Sequence, residues 1–326
     1  MDGYISIMVK AVEFSDRTRR IGVLPVPGFA LMSYASTVEP FRAANLLGGR
    51  TLYDLVDIGL SDSPVPSSGA ASVMPAARVG DALKLDYLFV VAGGDPTGFS
   101  DPAVTGWLNR MARAGTRLGG VSGGPVILAR AGLMDGRRMT VHWEHAAALA
   151  EISPHLMIER TLYVIDRDRV TCAGGTAPVD MVHALIAGHH GSAFARLVSD
   201  WFMHTEIRPS VGPQRGGLAA RVGTNSAPIL DAVAAMEANL GTPLGLGDLA
   251  AAAQLSPRQL NRLFREKLGT STMRYYRDLR LDLARSLLRN SPMSLTEIAL
   301  ATGFANSSHF SRLYADQYGG PPSAVR

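Results

Sequence analysis

The chain has 326 residues, 47% of them hydrophobic and 18% charged, a composition that supports two folded domains with real cores and excludes a disordered protein. Its formal net charge of +4 is small for the length, so any binding of nucleic acid requires a local basic surface rather than bulk attraction. A single cysteine, Cys172, excludes an internal disulfide and a cysteine-built zinc cage. The first 20 residues, with Lys10, Glu13, Asp16, Arg17, Arg19 and Arg20, lack a signal-peptide core. No run reaches the roughly 18 apolar residues of a membrane span, so the expectation is a cytoplasmic protein with no membrane partner, no metal and no cofactor.

From Arg20 onward, short apolar runs alternate with longer amphipathic ones, the pattern of βα units on a parallel sheet. Segments 21–26, 87–94, 116–121 and 168–175 read as buried strands ending at glycines or turns. Helices are expected over 31–46, interrupted by Pro40, and over 101–114, 123–132, 177–188 and 192–206. These make a three-layer α/β sandwich with a mostly parallel sheet over 20–207, behind an N-terminal tail, 1–19. Residues 208–227, rich in Pro, Gly, Ser and Asn, read as an interdomain linker. From 228 to 326 the pattern is entirely helical.

That helical segment contains an internal repeat. Residues 248–269 and 297–319 align Asp248 with Glu297, Leu249 with Ile298, Ala250 with Ala299, Leu260 with Phe310, Phe264 with Tyr314 and Gly269 with Gly319. In each copy a short helix meets a tight turn, at Gln254-Leu255 or Gly303-Phe304. A second helix then starts behind a cap, Ser256 before Pro257 or Asn306. This is a helix-turn-helix pair, twice, with 275–290 as a long connecting helix. In the first recognition helix Leu260, Leu263 and Phe264 fall on the inner stripe. Arg258, Gln259, Asn261, Arg262 and Arg265 are left outside, side chains suited to guanine, adenine and phosphate. Nine Arg or Lys against three acids over 256–289 concentrate the positive charge there. The second recognition helix offers Ser307, Ser308, His309, Ser311 and Arg312, a less basic set that points to weaker or more shape-dependent reading.

In the α/β region, Gly120-Val121-Ser122-Gly123-Gly124 satisfies G-x-S-x-G, the nucleophile elbow of serine hydrolases. A serine hydrolase or amidase tethered to a DNA-binding domain is therefore an open alternative. It requires a base from among His142, His145, His183, His189 and His190, and an orienting acid from Asp166, Asp168 and Asp180. Three other groups have plainer readings. Cys172 reads as a buried structural thiol, His189-His190 as exposed or capping, and Met32, Met181 and Met203 as fillers of core gaps.

"DLAAAAQLSPRQLNRLFREKLGTS", "RLDLARSLL" and "SLTEIALATGFANSSHFSRLYADQYGGPPSAVR" resemble the AraC-type DNA-binding domain over 228–326, with Thr272 where that family usually has proline. The resemblance implies seven helices, two recognition helices in successive major-groove segments about 34 Å apart, and transcription regulation, usually activation, with RNA polymerase as a partner. "IGVLPVPGFALMSYASTVEPFRAAN", "FVVAGGD", "GGVSGGPVILARAGLMDGRRMTVHWEH" and "RVTCAGGTAPVDMVHALI" resemble the GlxA-type regulators, whose first domain is similar to PfpI-like, class I glutamine amidotransferases. The enzymes of that superfamily carry cysteine at the elbow, commonly followed by histidine; here Ser122 and Gly123 stand there. By position, Glu39 matches the acid beside the nucleophile, His142 a histidine near the site, and Gly94 and Gly123 the oxyanion pocket. With no thiolate available, the resemblance implies a non-catalytic site for a small-molecule effector, formed by Ser122, Gly123, Gly94, Asp95, Glu39, His142, Trp143 and Glu144. An indole beside a carboxylate suits an alkylated ammonium, and the wording of residues 121–145 is similar to regulators of glycine-betaine and carnitine catabolism. Homodimerisation through the first domain is also implied.

Overall fold

The computed structural model describes residues 17–325, and the chain divides into two compact units, Met1–Gln214 and Arg215–Arg326. Of the tail expected over 1–19, residues 1–16 lie outside the described residues, and the first strand already begins at Arg19.

In the first unit a seven-stranded sheet has the order β10-β11-β7-β6-β1-β2-β5. Its strands are β1 (Arg19–Pro25), β2 (Tyr53–Gly59), β5 (Ala77–Arg78), β6 (Tyr87–Ala92), β7 (Arg117–Ser122), β10 (Tyr163–Asp166) and β11 (Arg169–Cys172). All neighbours run parallel except β10 and β11. Short ribbons β3 (Val65–Pro66) with β4 (Ser72–Val73), and β8 (Arg138–Thr140) with β9 (Met157–Glu159), lie outside it. Helices cover both faces. On one, α1 (Leu31–Gly48), α5 (Ala177–His190) and α6 (Ser192–Trp201) bury Phe41, Met181 and Phe194 with Ile21, Val23, Phe89 and Val121. On the other, α2 (Pro102–Arg113), α3 (Gly124–Arg130) and α4 (Trp143–Ile152) bury Trp107, Val126 and Leu149 with Leu24, Leu88 and Val90. Successive residues of β6 alternate between these two cores, which is why "YLFVVA" reads as one unbroken apolar run.

Several expectations shift. The helix expected over 192–206 stops at Trp201, because the chain turns into the left-handed region at Met203, φ 56°. Met203 and Met32 are exposed rather than core fillers, whereas Met181 is fully buried. Pro40 sits inside α1 without ending it. Strands β2 to β5 and β8 to β10, and helix α4, fall outside the expected elements; their apolar periodicity is short or mixed with charge.

The segment 208–227 is not a free linker. Its first part lies along the first unit: Arg208 bonds Asp180, the Ser210 carbonyl accepts from Leu162 N–H at 2.9 Å, and Pro213 bridges to Thr161. The division falls after Gln214. Beyond it, α7 (Leu218–Val222) belongs to the second unit, holding Glu237 through Arg221 at 2.6 Å. Composition marks absence of periodicity, and specific polar anchors are invisible to it.

The second unit continues with α8 (Ala227–Ala238), α9 (Leu246–Ala252), α10 (Pro257–Leu268), α11 (Thr272–Asn290), α12 (Leu295–Ala301) and α13 (Ser307–Tyr318), closed by a 3-10 turn over Pro322–Val325. From 228 onward that is six α-helices and one 3-10 turn among the described residues. The repeat appears as α9-turn-α10 and α12-turn-α13, with inner residues Leu260, Phe264, Phe310 and Tyr314 buried. Helix α11 joins them. Its Tyr276 hydroxyl accepts from Leu244 N–H at 3.3 Å on one side, and its Arg280 donates to the Thr302 and Gly303 carbonyls at 2.8 and 2.6 Å on the other.

Candidate sensing crevice and DNA-binding face

The loops after β1, β6, β7, β8 and β11 gather at the carboxyl ends of the central strands, beside β1 where the strand order reverses. Ser122 stands there with φ 59°, a left-handed conformation rare for a residue with a Cβ. Gly174 packs directly against it. A Cβ on it would fall 2.6 Å from Ser122 Cβ and 2.8 Å from Ser33 Oγ, so only glycine lets the two serines flank it. Ser33 Oγ, fully buried in the first turn of α1, accepts the Gly175 N–H at 2.8 Å. From the other side His142 N–H donates to the Ser122 carbonyl at 3.2 Å. Gly94 and Gly175, both at positive φ, border open space.

Around this floor, His142 caps α4, its Nδ1 accepting the Glu144 N–H at 3.4 Å. Burial holds its pKa below the ordinary value, against the opposing pull of Glu144, which favours the neutral ring. Trp143 is 41% exposed, not a core residue, and Glu144 lies beside it with its carboxylate 4.0 Å from His142.

The described residues do not assemble a catalytic triad around Ser122. Among the described residues no hydrogen bond links Ser122 Oγ to any histidine. His183 bonds Ser199 at 2.9 Å, and His189 is wedged between the Tyr53 and Tyr87 hydroxyls at 3.0 and 3.2 Å. His189 and His190 are thus packed rather than exposed, and burial together with the nearby Arg19 lowers His189 to about 4. Asp168 flanks Leu118, the opposite end of β7 from Ser122, and bonds Arg137 and Arg169; Asp166 bonds the Arg138 N–H. Asp180, fully buried, is taken by Arg208 and His204. Cys172 is fully buried and its thiol is pushed up to about 12 by that burial, so it offers no thiolate in place of the missing one.

On the second unit, Arg258, Arg262 and Arg265 of α10 are exposed, as are Ser308, His309 and Arg312 of α13, while Ser307 and Ser311 are half-buried. Two expected readers have other employment. Gln259 Oε1 accepts from the Ser256 N–H and hydroxyl at 2.9 and 2.8 Å, completing a capping box. Asn261 Oδ1 accepts the Thr272 N–H at 3.1 Å, a bond that a proline at 272 could not make. Gln259 is thus held by the start of its own helix, and Asn261 by the first residue of α11. Arg280, counted in the basic face, stacks on Phe304 at 4.2 Å and serves the second turn instead.

Two families match this layout: the DJ-1/PfpI family over residues 19–188 and a helix-turn-helix domain over residues 249–326. Over 313 residues the chain is 45% identical to the HTH-type transcriptional regulator GlxA of Rhizobium meliloti (strain 1021), covering 96% of this chain and 97% of that protein. The chain belongs to the GlxA-type helix-turn-helix transcriptional regulators. It is also 40% identical over 303 residues to the HTH-type transcriptional regulator CdhR of Pseudomonas aeruginosa, covering 93% of this chain and 90% of that one. A crystal structure of an AraC family transcriptional regulator from Pseudomonas putida superposes with TM-score 0.52 at 26% identity, over 56% of this chain and 99% of that chain.

In this GlxA-type regulator, three of the residues expected at the crevice turn away from it. Glu39 pairs with Arg42 at 2.5 Å. It lies six residues beyond Ser33, about 240° around the helix and about 9 Å along it. Ser33, not Glu39, stands beside Ser122. Asp95 folds onto its own loop, accepting from the Thr97 N–H at 2.9 Å and the Gly98 N–H at 3.3 Å. The Gly123 N–H donates to the Ala92 carbonyl at 3.1 Å and is spent within the elbow. The signal that Ser33 leaves in the sequence is a hydroxyl-bearing face, Ser33, Ser36 and Thr37, on a helix that is otherwise mostly apolar.

Proposed function

We propose that the first unit is a non-catalytic sensor of a small zwitterion, a betaine, carnitine or another amine- or amino-acid-like compound, whose binding controls transcription by the second unit in the direction of activation. The observation that carries this reading is Ser122: it keeps the strained elbow but has no base within hydrogen-bonding reach among the described residues. A neutral serine hydroxyl without a base is a poor nucleophile and a serviceable hydrogen-bond donor. It and the Gly94 N–H would take the ligand carboxylate, while the exposed Trp143 face and the Glu144 carboxylate would take the ammonium. A cation–π contact contributes roughly 0.5–2 kcal/mol, enough to tune the choice of ligand.

Arg258, Arg262 and Arg265 would supply base and phosphate contacts in the major groove, with Ser308, His309 and Arg312 reading a second segment. Dimerisation through the first unit would set two such readers on repeated half-sites of an operator. Only a ligand with different affinity for two states of the protein can shift their populations.

The test uses the full-length protein. Glycine betaine, carnitine and a panel of amines and amino acids are screened by thermal shift, and the same protein is treated with a fluorophosphonate. The expected results are a raised melting temperature with a zwitterion and no labelling. Stoichiometric labelling that disappears in Ser122→Ala would overturn the sensor in favour of the hydrolase.

A further inference from the structure

The segment 208–214 touches both walls of the crevice through side chains that the sensing reading leaves unused. At its start, the Arg208 guanidinium donates to Thr176 Oγ1 at 3.0 Å and to Asp180 Oδ2 at 2.7 and 2.9 Å, and its N–H donates to Asp180 Oδ1 at 2.9 Å. Thr176 directly follows Gly174 and Gly175, the residues packed against Ser122 and Ser33. Asp180 is fully buried and Arg208 partly so, and parting them would strand a buried carboxylate without its guanidinium.

At the other end of the segment, Gln214 Nε2 lies 3.0 Å from Thr140 Oγ1, 3.1 Å from the Val141 carbonyl and 2.8 Å from the Thr161 carbonyl. Val141 precedes His142, whose N–H holds the Ser122 carbonyl and whose neighbours Trp143 and Glu144 form the second wall. The other half of the Gln214 carboxamide, Oε1, is buried with no hydrogen-bond partner among the described residues. The clamp is therefore strong at Arg208 and half-satisfied at Gln214, so it opens first at the end next to the second unit. After Gln214 only Arg215, Gly216 and Gly217 precede α7, which is tied into the second unit by Arg221 and Glu237.

We propose that residues 208–214 form a strap that couples the crevice to the DNA-binding unit, with Arg208 and Gln214 as positioning residues and release of Gln214 as the step that crevice occupancy controls. This rests on the sensing reading for what fills the crevice. The connectivity of the strap itself does not depend on the ligand. A molecule between the Gly174–Gly175 loop and the His142–Glu144 loop bears on Thr176 and Val141, the two points at which the strap is fastened. Linkage is reciprocal: if the crevice acts on the DNA-binding unit through the strap, DNA must act on the crevice through it as well.

That reciprocity supplies a test without an identified ligand. A duplex selected from a random pool by the full-length protein serves as the probe, and amide hydrogen exchange is followed in peptides spanning 138–145 and 172–177. In the unaltered protein, saturating duplex is expected to change exchange in both peptides several-fold. In Gln214→Ala, and separately in Thr176→Ala, which removes one bond of Arg208 without stripping Asp180, the response should fall to less than twofold while the affinity for the duplex stays within threefold. No response in the unaltered protein, or a response that survives both substitutions, overturns the strap. The two proposals fail separately. A DNA response with no zwitterion ever stabilising the protein sinks the sensor and leaves the strap, whereas zwitterion binding with no DNA response sinks the strap alone.

Discussion

The two helix-turn-helix units reverse their chains at matching positions by different means. In the first, Gln254 takes φ 53°, a left-handed conformation that costs a residue with a side chain roughly 1–2 kcal/mol. In the second, Gly303 takes φ 70°, and a Cβ there would fall 2.5 Å from Pro243 Cδ. The recognition helices differ in the same pairing, one presenting three exposed arginines and the other mainly hydroxyls, an imidazole and a single arginine. Duplication of a fold thus preserved the backbone path, the inner stripe and the caps, while turn chemistry and outer faces diverged. The turn is constrained by whatever packs against it, and the outer face only by what it reads.

The largest effect expected from this comparison is at the second turn. Gly303→Ala combines left-handed strain with overpacking against Pro243 and should cost about 2–4 kcal/mol in urea unfolding of the second unit. Gln254→Ala, whose backbone already bears the strain, should stay within about 0.5 kcal/mol. Equal costs would mean that the two turns are not constrained differently.

Next comes the reading face. Arg262→Ala should weaken binding to a selected duplex by about 10–100-fold and relax preference at one base pair, if its contact is bidentate to guanine. Arg312→Ala should weaken binding less and almost equally for all sequences. Fluorescence anisotropy on the selected duplex and its single-base variants separates the two, and a larger loss for Arg312→Ala would reverse the assignment.

A pH effect should separate the two units. His189, held down to about 4 chiefly by burial and then by Arg19, stays neutral in the fold and gains a proton more readily when unfolded. Its contribution is present above the ordinary histidine value of about 6.5 and is lost as pH falls from there towards 4. Screening by solvent limits it to about 1–2 kcal/mol. All three tryptophans lie in the first unit, so tryptophan fluorescence during urea unfolding at pH 7, 6 and 5 reports that unit alone. An acid-insensitive midpoint would show that the imidazole is not sequestered between Tyr53 and Tyr87.

The smallest effect is a gain. Gln254→Gly relieves the left-handed strain and should raise the stability of the second unit by about 1 kcal/mol.

Legibility differed sharply between the two units. In the second, Leu260, Phe264, Phe310 and Tyr314 recur at helical spacing, and Ser256, Asn306, Gln254 and Gly303 mark the ends, because helix faces and caps are local and leave their period in the sequence. Even so, a helical wheel does not show that the side-chain oxygens of Gln259 and Asn261 accept from the backbone N–H groups of Ser256 and Thr272. In the first unit the central strands and their flanking helices were legible. Around the candidate site the sequence shows only local motifs, the elbow at Ser122, the glycine at Gly94 and the run His142–Glu144.

By itself the sequence determined the two-unit architecture, the strained elbow at Ser122, the absence of a thiol there and the duplicated helix-turn-helix. Each of these is written in residues within a few positions of one another or in a repeated period. Only the tertiary structure decided that Ser33 rather than Glu39 stands beside Ser122, that the candidate acids Asp166 and Asp168 lie at the far end of the sheet, and that Arg208 and Gln214 fasten to the crevice loops. Those pairings join residues from 28 to 142 positions apart, as Gln214–Thr140, Arg208–Asp180 and Gly175–Ser33 do. No periodicity specifies which polar side chain meets which loop. That follows from the order of the strands and from the turn of the helix that faces the sheet.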